Sequence, residues 1–121
     1  MSTPYGYSDP LGYIETRIIL SQGNDATLTF TITDPNNSNA PVDITGSTVT
    51  FTRKSTRYVP DTDASAIQYN ATLTDPTNGV CTVAIPETDN AVSGVTWYRL
   101  DVYLNSKKRT SQYGPLEIAA V

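Results

Sequence analysis

Between Ala26 and Thr33 the sequence reads Ala-Thr-Leu-Thr-Phe-Thr-Ile-Thr. Every second residue is apolar and the residues between are threonine, a repeat of two that an extended strand converts into one buried and one solvated face. A helix would scatter Ala26, Leu28, Phe30 and Ile32 around its axis. Threonine's branched Cβ adds to the preference for the strand. The same bias runs through the chain: 19 Thr, 10 Ser and 8 Asn among 121 residues, with only 17% charged, leave few good helix formers for any surface.

Shorter stretches repeat the alternation. Val49 and Phe51 point inward from a strand over about 48–53; Ile67, Tyr69, Ala71 and Leu73 alternate, as do Cys81, Val83 and Ile85. The longest strand spans Val95–Leu104, with Tyr98, Leu100, Val102 and Leu104 on one face and Trp97, Arg99, Asp101 and Tyr103 on the other. Ile18-Ile19-Leu20 and Leu116 with Ile118 mark the first and last strands. Turn chemistry separates them: Gln22-Gly23-Asn24-Asp25, Asp34 to Pro41, Tyr58 to Ser65, Asp75-Pro76-Thr77-Asn78-Gly79 and Asn105-Ser106-Lys107-Lys108. Gly79 is free to take a positive φ. Seven short strands without a helical window predict an all-β, antiparallel immunoglobulin-like β-sandwich. Its expected core is Ala26, Leu28, Phe30, Ile32, Val49, Phe51, Ile67, Val83, Leu100 and Val102. Residues 1–14, with Tyr5, Tyr7, Tyr13, two Pro and two Gly and no evident period, form an extended N-terminal arm; residues 15–121 form the domain.

Composition excludes much. Without histidine there is no imidazole for a catalytic triad or a zinc site. One cysteine, Cys81, rules out an internal disulfide and every CxxC site, and its place in the alternation makes it a buried, inert thiol. Eight basic against twelve acidic residues leave no footprint for nucleic acid or an anionic membrane. The N-terminus shows no export signal and no stretch is apolar enough to span a bilayer as a helix.

Asp61-x-Asp63, and Asp34 with Asn36 and Ser38, present clustered oxygens of the kind calcium takes, but neither has the glycine and distal glutamate of an EF-hand loop, and Asx-turns account for both. Lys107-Lys108-Arg109 reads as a solvated hairpin tip. Glu15, Glu87 and Glu117 are too scattered for a glycosidase pair. The expectation is a protein without catalytic residues, metal or cofactor. What stands out is aromatic: the tyrosines of the arm, Tyr5, Tyr7 and Tyr13, and the face carrying Trp97 and Tyr103. Such side chains supply large contact area with few rotamers to freeze, so these five are the candidate partner-binding residues, against tail and core packing as the plainer explanations.

Pro41-Val42-Asp43-Ile44-Thr45-Gly46-Ser47-Thr48-Val49-Thr50-Phe51 has the form of a phrase common in small phage virion modules. Leu73-Thr74-Asp75-Pro76-Thr77-Asn78-Gly79, then Pro86-Glu87-Thr88-Asp89, Gly94-Val95-Thr96-Trp97-Tyr98 and Tyr113-Gly114-Pro115-Leu116-Glu117-Ile118 follow in matching order. Over about 15–120 the chain resembles the immunoglobulin-like N-terminal module of phage baseplate upper proteins. The resemblance implies a non-catalytic β-sandwich in a virion, assembled in the host cytoplasm as a symmetric homo-oligomer in the particle and bound to capsid, tail or baseplate subunits. In that family the module is usually joined to a fibre-forming or receptor-binding region; here the sequence ends at Val121. A capsid decoration protein, a neck component or a tail adaptor is therefore the expected role. The alternative from another class is a carbohydrate-binding sandwich that stacks sugars on Trp97 and the tyrosines.

Overall fold

A computed structural model describes residues 14–121. The expected arm, with Tyr5, Tyr7 and Tyr13, lies outside the described residues apart from Ile14. Among those described the fold is all-β; its helical elements are three 3₁₀ turns of three or four residues.

Eleven extended segments occur in place of seven: β1 Ile14–Glu15, β2 Ile18–Ser21, β3 Ala26–Thr31, β4 Thr33–Asp34, β5 Ala40–Pro41, β6 Thr48–Lys54, β7 Ile67–Asn70, β8 Thr72–Asp75, β9 Val80–Ile85, β10 Gly94–Leu104 and β11 Lys107–Ala119. One sheet runs β1-β11-β10-β6-β7, with β2 also on β11; the second runs β3-β9-β8, and β4-β5 is a separate ribbon. The higher count comes from breaks inside expected strands. The stretch from Ile67 to Leu73 divides at Ala71, whose N–H donates to the Val49 carbonyl at 2.8 Å, so that β7 stays with β6 in the first sheet and β8 passes to β9 in the second. The alternation runs unbroken through this crossing because both sheets bury the same parity of side chain. Likewise Ile32 leaves the β3 ladder: its N–H bonds Gly79 and its carbonyl accepts from Val42.

The sequence predicts a purely antiparallel sandwich, but the first sheet is mixed. β1 and β2 run parallel to β11, Ile14 opposite Gln112 and Ile18 opposite Leu116. First and last strands can pair this way because the whole domain serves as their connection. Between β1 and β2 the backbone of Thr16 passes so close to Gly114 that a Cβ there would meet the Thr16 carbonyl oxygen at 2.3 Å. Thr16 N–H donates to the Tyr113 carbonyl, and the Tyr98 hydroxyl donates to the Thr16 carbonyl at 2.6 Å.

The inner faces of the two sheets share one core. Phe51, fully buried on β6, is its hub: it meets Phe30 of the opposite sheet at 5.9 Å, stacks on Tyr98 at 5.2 Å and meets Tyr69 edge-on at 5.9 Å. Of the expected core, Phe30, Ile32, Val49, Phe51, Val83, Leu100 and Val102 are buried, and Ala26 and Leu28 are partly buried against it. Ile67 is a correction. It is 37% exposed, because β7 is an edge strand and Ile67 pairs with Arg53, one layer beyond the Phe51–Tyr69 pair where the core ends. Arg53 itself is buried there and donates to Asn90 Oδ1 at 3.0 Å, while Asn90 donates to the Asn24 carbonyl. Leu20, Ile44, Cys81, Ile85, Tyr98, Leu116 and Ile118 complete the buried core of the described residues.

Turns behave as their residues dictate. Gly79 has φ +75°, and a Cβ there would meet the Ile32 carbonyl oxygen at 2.6 Å. Asn105 and Ser106, both left-handed, join β10 to β11 as a two-residue hairpin turn. Burial pushes the Cys81 thiol up to about 11, as befits an inert core cysteine.

Two substitutions check this architecture by chemical denaturation. Phe51→Ala is expected to cost about 3–5 kcal/mol, the range for emptying a buried aromatic site. Gly114→Ala is expected to destabilise by more than about 1 kcal/mol, because it forces β1–β2 off β11. An unchanged midpoint for Gly114→Ala would mean that Thr16 does not pass over that position.

Candidate functional site

The outer face of the first sheet is set by register. Trp97, Arg99, Asp101 and Tyr103 on β10 stand beside Lys54, Thr52, Thr50 and Thr48 of β6, and Trp97 and Arg99 lie opposite Pro115 and Tyr113 of β11. The face is not bare. The loop over 55–66 folds across its middle and is held by charge. Arg99 donates to both oxygens of Asp61, at 3.2 and 2.5 Å, and through Nε to Asp101 Oδ2 at 2.7 Å. Lys54 Nζ donates to Asp61 Oδ1 at 2.9 Å and to the Val59 carbonyl at 2.7 Å. Asp101, 1% exposed, accepts also from the Thr110 hydroxyl at 2.8 Å, and Lys108 Nζ lies 3.7 Å away. A carboxylate this buried is stable only with donors around it, and here guanidinium and hydroxyl supply them. Asp63 closes the loop locally, accepting from the N–H and hydroxyl of Ser65.

These partners shape the titration of the loop. The Arg99 guanidinium, assisted by Lys54, holds the Asp61 carboxyl well below the usual carboxylate range. Ser65 lowers Asp63 through its hydroxyl and its N–H. On the inner side, burial first and then Asp89, which accepts from the Tyr69 hydroxyl at 2.7 Å, push Tyr69 up to about 12. The Asp61 carboxylate, one of the two oxygen clusters noted in the sequence, is thus committed to protein cations. The other, Asp34, accepts from the Asn36 N–H at 2.9 Å and caps a 3₁₀ turn. Asp34 and Asp63 thus make the local turn contacts expected of Asp in loops, whereas Asp61 makes none and pairs instead with Arg99, 38 residues away.

Trp97 is half-buried, stacked with Tyr113 at 6.3 Å, and the Arg57 guanidinium of the covering loop lies over both rings, 5.2 Å from Trp97 and 5.6 Å from Tyr113. Tyr58, next in the loop, is 86% exposed. Tyr103 is 42% exposed but stands six residues along the same strand, about 20 Å away at strand rise, on the far side of the Arg99–Asp101 network. The structure therefore does not join Trp97 and Tyr103 into one patch. Around Trp97 it assembles residues that the sequence reading did not single out. Val95 and Ile19, each about 60% exposed, lie on either side of Glu117 in one row of the sheet, and Arg17 pairs with Glu117. The signal was present: in the run Ile18-Ile19-Leu20 only alternate residues can turn inward, and Val95 shares the parity of Trp97. Arg57 and Tyr58 come from a loop whose docking no local pattern announces.

The family model for the BppU N-terminal domain matches residues 7–112. Among curated proteins no sequence matches. Among solved structures, a family 123 glycoside hydrolase from Clostridium perfringens, analysed for glycolipid glycan hydrolysis, is similar at a TM-score of 0.40 and 8% identity over 89% of this chain. This chain spans 23% of that one.

The Asp61 network yields a prediction with a definite sign. A carboxyl whose folded pKa lies below its unfolded value, about 3.9, adds stability that is complete above that value and is lost as pH falls below it. Asp61→Asn is therefore expected to lower the melting temperature at pH 7 and to flatten the fall between pH 5 and 2. Parallel curves for the two proteins would show that Asp61 does not bind Arg99 in solution.

Proposed function

The chain belongs to the family of the BppU N-terminal domain, that of phage baseplate upper proteins, and from that premise we propose that it is a non-enzymatic virion component held to the particle by protein–protein contacts. The observation that carries this reading is the extent of the match, 7–112 of 121 residues. Two sheets around one core support an immunoglobulin-like sandwich as its architecture. Its partners are other virion proteins, capsid or tail and baseplate subunits, which it meets as an accessory module in many symmetric copies; decoration of a capsid and a place in the neck, tail or baseplate are the roles this covers.

The contacts we assign are Tyr5, Tyr7 and Tyr13 at the N-terminus, Trp97 with its exposed neighbours Ile19 and Val95, and Tyr103 at the other end of β10. What supports Trp97 is the rigidity of its setting. Its ring is fixed by Tyr113 and Arg57, so little side-chain entropy is left to lose on docking, and Val95 and Ile19, exposed on either side of the Glu117–Arg17 ion pair, offer apolar area to bury. The same geometry weighs against the carbohydrate-binding alternative, because a sugar stacks on an open ring face and the Arg57 guanidinium lies over this one.

Occupancy of purified particles tests the reading. Particles assembled with the full chain are expected to retain it through density-gradient purification, quantified by mass spectrometry. Removal of residues 1–13, or Val95→Asp with Ile19→Asp, is expected to lower occupancy by about tenfold or more, a loss of ~1.4 kcal/mol per contact site. Chain absent from particles in its full-length form would overturn the proposal, and full occupancy by both variants would remove the assigned contacts.

A further inference from the structure

Arg53 is only 6% exposed, yet among the described residues it has no ion pair. It donates to Asn90 Oδ1 at 3.0 Å and stands within reach of the Tyr69 hydroxyl, whose own proton goes to Asp89. A guanidinium carries five N–H donors, and a cation this far from water is costly without an acid beside it. The other cations that the fold covers on this sheet have theirs: Lys54 pairs with Asp61, and Arg99 with Asp61 and Asp101.

Arg53 lines an open notch of about 370 Å³ at the end of the first sheet. β6 stops at Lys54, opposite Trp97, whereas β10 already begins at Gly94. Over Gly94–Thr96, therefore, β10 pairs with β11 alone. Alternation along the strand turns the N–H and C=O of either Val95 or its two neighbours toward the notch. Val92, Val95 and Ile67 stand exposed around it. Asp89 is the one acid among the lining residues, and it already accepts from Tyr69; the Lys54 amino group is held by Asp61 and the Val59 carbonyl. The notch lies beside Ile118, about 20 Å along β11 from Gln112, where Ile14 enters the sheet.

Three features thus meet in one place: a buried cation lacking an acid, a short stretch of strand edge, and exposed aliphatic side chains. An inorganic anion would answer only the first. An extended peptide answers all three, with a carboxylate for the guanidinium fork, main chain for the β10 edge and apolar neighbours for the valines.

We propose that this notch binds an extended peptide segment of a partner protein through a carboxylate flanked by apolar residues, with Arg53 taking the carboxylate and Gly94–Thr96 the main chain. The proposal goes beyond the virion reading and does not depend on it, since the site belongs to the free chain.

Nuclear magnetic resonance titration of the ¹⁵N-labelled full chain tests it. Three pentapeptides serve as probes: one acetylated and amidated with valines flanking a central glutamate, its glutamine analogue, and a valine-rich peptide with a free C-terminal carboxylate. The glutamate peptide or the free-carboxylate peptide is expected to shift the amides of 92–96 and the Arg53 Nε–H signal, and the tighter of the two identifies the source of the carboxylate. The glutamine analogue is expected to bind about tenfold more weakly or worse, the usual loss for a hydrogen-bonded charge. Arg53→Lys, which keeps the charge but not the fork, is expected to weaken the acidic peptides. Because a change at a buried site can also unfold the chain, Val92→Asp supplies an exposed variant: it sets a like charge at the mouth and is expected to weaken the acidic peptides but not the glutamine analogue. No shift at 92–96 with either acidic peptide at millimolar concentration would overturn the site, and equal binding of the glutamine analogue would overturn carboxylate recognition. A chain lacking residues 1–13 is expected to bind equally well; tighter binding by it would mean that the protein's own N-terminal segment is the occupant and would overturn the assignment to a partner. Peptide binding without particle occupancy would sink the virion reading alone, and occupancy without peptide binding would sink this one alone.

Discussion

The fold depends on the burial of Phe51. It is the aromatic ring that reaches both Phe30 of the opposite sheet and, within its own, Tyr98 and Tyr69. Among the described residues no other aromatic pair joins the two sheets, and a chain of this length has little stability to spare. Tyr98 carries the constraint further. Its ring stacks on Phe51 while its hydroxyl donates to Thr16 and accepts from Gln112, so the hub also fixes where the N-terminal segment crosses β11.

On the other side of the same sheet, charge takes over the role that apolar burial has inside. Arg99 and Lys54 draw the 55–66 loop down through Asp61, and the loop in turn delivers Arg57 to the Trp97–Tyr113 stack. The outer face is consequently divided: a covered centre, an apolar and aromatic end near Trp97, Val95 and Ile19, and Tyr103 apart. A face held rigid by its own loop leaves little to reorganise on contact.

Much of this was legible in the alternation. The strand over 26–31, the Phe30, Phe51, Val83 and Leu100 core, the two faces of β10 and the Gly79 turn all follow from period two and turn chemistry, which are local. What escaped depends on long-range geometry. A strand that changes sheet at Ala71 keeps its parity, so the sequence shows no break, and Ile67 looks inward although the sheet ends beside it. The parallel seating of β1 and β2 needs Gly114 to lie under Thr16, a pairing across almost the whole chain. The candidate site was legible as residue types, Trp97 and Tyr103, but their separation by a salt-bridged loop was not, because nothing in the sequence around Asp61 names Arg99 as its partner.

The parallel arrangement of β1 and β2 along β11 has a mechanical consequence. The described chain enters at Ile14 beside Gln112 and its last strand ends at Ala119, so tension applied through the two ends pulls the paired strands past one another in opposite directions. Hydrogen bonds between strands sheared in this way bear load together, whereas a hairpin pulled open from its end yields one bond at a time. The module is strongest along the axis joining its ends, the direction in which a link between two bodies of a particle would be stretched.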